Sequence, residues 1–158
     1  MTKEQIQAFT LRVSSANKTE MIVILYDIAI TYLNDSVSAK ENDNKTLFRA
    51  ELNRTKSTVQ ELINSVDTSS ELGQILLKLY VYCNKELTKA YIDFDDAPAR
   101  HIIQILSSLK SAYEEVSKKD NSGAVMKNVE IVYGNLTYNK NLMNEILTDR
   151  AQSRGFLA

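Results

Sequence analysis

From Met1 to Lys119 the chain contains one glycine, Gly73, and one proline, Pro98, so it has very few places at which to turn sharply. A β-sandwich, a barrel or a doubly wound sheet turns many times and needs that punctuation. The scarcity argues against all-β and α/β folds and for a few long helices. The other three glycines, Gly123, Gly134 and Gly155, fall in the last 39 of the 158 residues. The length suits one domain. The composition therefore divides the chain into a helical domain, 1–119, and a C-terminal tail, 120–158, expected to be extended or partly ordered.

Periodicity divides the first part into four long segments. Asn17 with Glu20 three residues on is a capping box, and it opens a helix running to about Lys40 with a stripe of Met21, Leu25, Ile28, Tyr32, Ser36 and Ala39. After the polar break 41–44, Phe48, Leu52, Thr55, Val59, Leu62 and Val66 alternate by four and three, the seam of a helix packed nearly along its neighbours. Thr68 with Glu71 predicts a second capping box and a third helix, with Leu72, Leu76, Leu79, Cys83, Leu87 and Ala90 inward and an end at Asp93 to Asp96. Pro98 fits only the first turn of a fourth helix, capped by Asp96 or Ala97. Its stripe reads Ile102, Ile105 or Leu106, Leu109, Ala112 or Tyr113, and Val116.

Helices of roughly 20 residues are about 30 Å long, and connections of about four to six residues make sequential helices run antiparallel. The expected fold is all-α, an antiparallel up-down-up-down four-helix bundle. A short N-terminal helix within 1–15 precedes it, with an apolar edge of Ile6, Phe9 and Val13. A helix this short is stable only when docked, so it reads as a removable cover. In the tail, 139–148 reads as a short amphipathic helix carrying Leu142, Met143, Ile146 and Leu147.

Nineteen basic against twenty acidic residues, with a sequence pI near 5.9, leave no broad positive field for nucleic acid. A single cysteine, Cys83, forms no internal disulfide and fits a reducing, cytoplasmic compartment. The first twelve residues hold no apolar run of signal type. The longest apolar stretch, Met21 to Leu33, is broken by Asp27 and flanked by Glu20 and Asn34, too short and too charged for membrane insertion.

Catalytic constellations are likewise missing from the sequence. A di-iron bundle needs Glu-x-x-His, and three residues before His101 stands Pro98. Cys83 lies on a core stripe, where a cysteine behaves as a small hydrophobe. Neither a Gly-rich phosphate loop nor a nucleophile elbow occurs. The expectation is a non-enzymatic protein without cofactor or metal. The alternative is a histidine phosphotransfer bundle using His101, although the bulky Ile102 and Ile103 beside it suit an ordinary helix residue better.

Apolar surface, by contrast, exceeds what a bundle core needs. Met21 to Leu25 are all apolar, and Ile28, Ala29, Ile30, Tyr32 and Leu33 continue on more than one face. The third long helix adds Leu77, Tyr80, Val81 and Tyr91 to its inner stripe. Either these two helices are central, covered by the N-terminal piece and the tail, or part of the surface is a groove for a partner's amphipathic helices.

Three strings carry a resemblance. Asn17-Lys18-Thr19-Glu20-Met21, followed by Ile22 to Ile24, Leu25-Tyr26-Asp27 and Ile28-Ala29-Ile30, resembles the opening helix of the flagellin export chaperones, the FliS family. Leu76-Leu77-Lys78-Leu79-Tyr80-Val81-Tyr82 is similar to that family's Leu-Tyr-x-Leu-Tyr-x-Tyr, and Ile105-Leu106-Ser107-Ser108-Leu109-Lys110-Ser111-Ala112-Tyr113 to its Leu-Leu-x-x-Leu-Arg-x-Ala-Trp. Together they cover roughly residues 6 to 118.

The resemblance implies a cytoplasmic chaperone that holds flagellin's C-terminal segment, prevents premature polymerisation and assists delivery to the flagellar type III export gate. The client surface is expected on the apolar faces of the second, third and fourth long helices, at Leu77, Tyr80, Val81, Tyr91, Leu52 and Val59. Ile6 and Phe9 match the spacing of a family pair implicated in contact with the export gate, though Phe9 lacks the tyrosine hydroxyl; a docked cover is the other reading of the pair. Lys18 replaces the family's usual proline, and Ile28 stands where a glycine is common.

Overall fold

Asn17 accepts a hydrogen bond from the Glu20 amide at 2.8 Å, and Glu20 Oε2 accepts from the Asn17 amide at 2.9 Å. That reciprocal pair starts the longest helix where the sequence predicts it. The computed structural model describes residues 1–125, so the tail segment with Leu142, Met143, Ile146 and Leu147 lies outside the described residues. Five helices follow in order: α1 (Lys3–Ser15), α2 (Lys18–Glu41), α3 (Lys45–Ser65), α4 (Glu71–Asp93) and α5 (Ala97–Ser117). Among the described residues there is no strand.

Local chemistry sets each boundary. Thr2 and Gln5 form a capping box at α1, and the Asn44 side chain accepts from the Leu47 amide at 3.0 Å at α3. The cap of α4 is Ser70, whose hydroxyl accepts from the Gly73 amide at 3.0 Å; the expected cap, Thr68, sits in the preceding turn. Gly73 is needed there because a Cβ would lie 1.8 Å from the Asp67 carbonyl oxygen. Phe94 ends α4 in the left-handed region, φ 54°. A non-glycine residue there costs about 1–2 kcal/mol. Its ring is held edge-on against Phe48 at 5.1 Å between centroids, with the Lys40 ammonium 3.6 Å over it. Pro98 occupies the first turn of α5 as expected.

α2 packs against α3 and α5, α4 packs against the same two helices, and α1 packs on α2. Contacts along α2 and α5 pair Glu41 with Arg100 at 2.9 Å and Asp27 with Lys110 at 2.5 Å, and just past α5 Asp120 accepts from Thr19 at 2.5 Å. The core holds Phe48, Leu52, Val59 and Leu62 of α3 and Ile102 and Leu106 of α5, as the periodicity predicts. In the first part of α2 the phase is one residue off, whereas Ser36 and Ala39 are buried as the periodicity predicts. Ile22, Tyr26, Ala29 and Leu33 are buried, while Met21, Leu25, Ile28 and Tyr32 are only partly so. A helix apolar on several faces gives periodicity no way to choose which one points inward. The same correction applies to α4, where Gly73 and Tyr80 are buried in place of Leu72 and Leu79.

As a whole, α2 is long and apolar enough to pass for a membrane span by length and composition, a test that a core helix passes as well. Here its apolar excess meets three neighbours. The stripe from Ile22 to Leu33 enters the core, and Val23 and Ile24 are buried around a cavity also lined by Arg12 and Ala16 from the α1 side. α2 is thus the covered central helix.

Candidate functional site

α4 differs from α2 in leaving its extra apolar residues uncovered. Leu72, Ile75, Leu79 and Tyr82 recur at spacings of three and four and so share one face. Leu72 is 63% exposed, Ile75 55% and Tyr82 41%. The matching stripe of α5, the helix packed against it, is Ile105, Leu109 and Val116; the first two are partly buried and Val116 is 56% exposed. Large apolar side chains on two adjacent helices therefore line one surface. Burial of such a surface by a partner would be favourable at about 25 cal/mol per Å². Beside it on α4 run the exposed lysines Lys78, Lys85 and Lys89. Glu86 raises the pKa of Lys89 through a 2.5 Å hydrogen bond.

At the foot of the stripe a cavity of about 200 Å³ opens between the ends of α2, α3, α4 and α5. Ile22, Val66, Leu72, Leu76, Tyr80 and Tyr113 give it an apolar wall, and Lys18, Thr19 and Asp67 stand among its other lining residues. Its inner end is the tyrosine cluster. The Tyr26 and Tyr80 hydroxyls hydrogen-bond to each other in the core, and the Tyr113 ring meets Tyr26 edge-on at 5.6 Å. Burial pushes both phenols up, Tyr80 to about 12 and Tyr26 further, because Tyr26 is both buried and bonded to Tyr80.

The sequence-predicted client residues divide sharply. Leu52, Val59 and Tyr80 are completely or almost completely buried, so they belong to the core rather than to an exposed face. Leu52 and Val59 lie on the four-three seam of α3, and Tyr80 points inward because its hydroxyl has Tyr26 to bond. Val81 is exposed, and Leu77 and Tyr91 are partly so, on the flank of α4 toward α3. Tyr91 lies under the Arg49 guanidinium at 4.9 Å, and its carbonyl accepts from Arg49 Nε at 3.1 Å. Leu72, Ile75, Leu79 and Tyr82 are not among the expected client residues. The periodicity predicts Leu72 and Leu79 on the inner stripe, and a single spacing rule gives no second face from which this surface could be read.

α1 lies on α2 with no fully buried residue. Its Arg12 bonds Asp27 at 2.8 Å, the same carboxylate that Lys110 of α5 reaches, and the Met1 amine pairs with Asp35. Asp27 raises the Lys110 pKa. Phe9 is partly buried beneath the Arg12 guanidinium, and Ile6 is 51% exposed. Past α5 the chain returns to the α1–α2 junction: Thr19 donates to the Asp120 carboxylate at 2.5 Å, and the Val125 amide donates to the Ala16 carbonyl at 2.9 Å. Hydrogen bonds from Ser122 and Thr19 hold Asp120 down at about 2.

His101 is exposed on α5, next to Arg100, which is paired with Glu41 and Asp96. Cys83 is buried, and burial pushes its thiol up to about 11, away from thiolate chemistry. Among the described residues no group of three or more His, Cys, Asp or Glu side chains is placed to hold a metal ion.

Among the described residues the chain is helical, and exposed apolar side chains on α4 and α5 form a surface of the kind an amphipathic helix of another chain can cover. The family model described as flagellar protein FliS matches residues 1–120, and the chain belongs to that family. It is a family of flagellar export chaperones. Among curated proteins none matches the chain.

Proposed function

We propose that the protein is a cytoplasmic chaperone that binds the C-terminal segment of flagellin, prevents its premature polymerisation and assists its delivery to the flagellar type III export gate. The observation that carries this reading is the stripe of exposed Leu72, Ile75 and Tyr82 with partly buried Leu79, beside exposed Val116, on a chain of this family. A client segment that is disordered when free can fold as a helix on such a surface, and the ordering it must undergo keeps the complex releasable. Leu77, Val81 and Tyr91 offer a second contact strip on the opposite flank of α4, and Ile6 and Phe9 a contact for the export gate. The architecture is an antiparallel four-helix bundle, a reading supported by the ring of helix contacts and by the pairing of α2 and α5 in opposite order. The domain boundary falls near residue 119, where the family match also ends.

The test is co-purification of flagellin with Ile75→Asp and with Leu77→Asp, each checked for native helicity. Ile75→Asp should reduce capture at least tenfold, since it places a charge in an apolar contact. Leu77→Asp measures the other flank. Capture at wild-type level by both folded variants would remove α4 from the client surface.

A further inference from the structure

Leu77, Val81 and Tyr91 share a face of α4 with Asn84 and Thr88, at steps of four and three, and this face is turned toward α3. The start of α3 meets the end of α4 where Arg49 Nε donates to the Tyr91 carbonyl at 3.1 Å. A cavity of about 380 Å³ opens there, lined by Lys45, Thr46, Arg49, Ala50, Asn53 and Tyr91. From Leu77 to Tyr91 the groove between the two helices runs about 21 Å, the length of about four turns of a partner helix.

Charge borders this groove with one sign. Lys45, Arg49 and Lys56 recur along α3 at steps of four and seven and so stand on its α3 side. Lys78, Lys85 and Lys89 recur along α4 at seven and four and separate the groove from the stripe of Leu72, Ile75, Leu79 and Tyr82. The carboxylates in the same stretches, 45–60 and 77–91, are Glu51 and Glu86. Glu51 is buried and paired with Arg54, and Glu86 is taken by Lys89. Cations thus gather around one groove in a chain whose formal net charge is −1. Arg49 is ordered in advance, its guanidinium 4.9 Å over the Tyr91 ring and its Nε on the Tyr91 carbonyl. An apolar strip bounded by cations on both sides complements a helix whose apolar strip is bounded by carboxylates. A phosphate backbone would leave the apolar floor uncovered.

We propose that the α3–α4 groove is a second docking site, which takes an acidic amphipathic helix of a partner protein. The lysine row puts the groove and the α4–α5 stripe on different sides of α4, so one straight helix cannot cover both. A chain held on the stripe therefore leaves the groove open to the acidic partner.

Fluorescence anisotropy on the full-length protein tests this with a labelled synthetic peptide, an amphipathic helix of about 18 residues with leucines on one strip and glutamates on both flanks. It should bind about tenfold more tightly than the same peptide with lysines in place of the glutamates, and its affinity should fall as added salt shortens the Debye length. Val81→Asp and Lys85→Glu, both at exposed positions, should each weaken binding about tenfold. Lys118→Glu, at an exposed lysine just past α5, should not weaken it. Equal binding of the two peptides, or wild-type affinity in both Val81→Asp and Lys85→Glu, would overturn the proposal. So would equal weakening by Lys118→Glu, which would make the attraction general to the surface. Loss of the peptide with Ile75→Asp but not with Val81→Asp would put it on the stripe, and full displacement by a single-stranded oligonucleotide would make the groove a phosphate site; either result also overturns it.

Discussion

The Tyr26–Tyr80 hydrogen bond gives the sharpest prediction about how this core is held. Both side chains are essentially inaccessible to water, and each hydroxyl is the other's partner. Tyr26→Phe therefore leaves the Tyr80 hydroxyl buried and unpaired, and Tyr80→Phe does the same to Tyr26. Leaving a buried polar group unsatisfied costs about 1–3 kcal/mol, whereas the net worth of a satisfied bond is only about 0.5–1.5 kcal/mol. Each single variant should lose about 2 kcal/mol. The double variant removes both polar atoms together and should lose about 1 kcal/mol, not the additive 4. The coupling of about 3 kcal/mol is large enough to read from urea denaturation followed by far-UV circular dichroism, provided the m-value is unchanged across the set. Additivity within about 0.5 kcal/mol would refute the mutual pairing of the hydroxyls.

Three further outcomes follow from particular contacts. Gly73→Ala gains about 1 kcal/mol in helix propensity, yet its Cβ would lie 1.8 Å from the Asp67 carbonyl oxygen. The variant should be destabilised by about 1–3 kcal/mol, and a stabilised variant by thermal melting would show that the turn at Asp67 yields freely. Tyr80 has a folded pKa raised from 10 to about 12 and Cys83 one raised from 9 to about 11, so the native state holds protons that the unfolded chain gives up. Stability should be fully present below pH 9 and fall as pH rises from 9 to 12. Tyr80→Phe should flatten the upper part of that decline in alkaline urea titrations, and an unchanged slope would count against the buried phenol as its source. Glu51 is buried with one oxygen on Arg54 and the other without a partner. Glu51→Met keeps the length and removes the desolvated charge, so unfolding free energy should rise by about 1 kcal/mol or more; a loss of that size would show that the carboxylate is needed.

Among the described residues the excess apolar surface is distributed differently on the two helices, α2 and α4. For α2 the surplus is covered, because α1 lies on it and α3 and α5 flank it. For α4 the surplus stays open, and its stripe is the candidate site. From the sequence the two helices look alike, since each carries more apolar residues than one face needs. The difference is in the neighbours each acquires. Half of the expected client residues are buried for this reason: Leu52, Val59 and Tyr80 are apolar or aromatic and lie in the core of the described helices.

Caps and breaks were legible because they are local. Asn17 and Glu20, Pro98, and the acidic stop after Asp93 each act within about one helical turn, and the helices begin and end within a residue or so of where those signals put them. Ser70 displaced Thr68 as the α4 cap only because the chain folds back closely enough for Gly73 to sit against Asp67. Which face of each helix turns inward was decided by partners far along the chain. Tyr80 is buried and Leu79 is not because Tyr26, 54 residues earlier, offers a hydroxyl in the core. The sequence alone determined that the chain is helical and where its helices lie, since backbone hydrogen bonds and caps are made among near neighbours. Only the tertiary structure decided which apolar stripe became core and which stayed open, since burial is a relation between helices and not a property of either one.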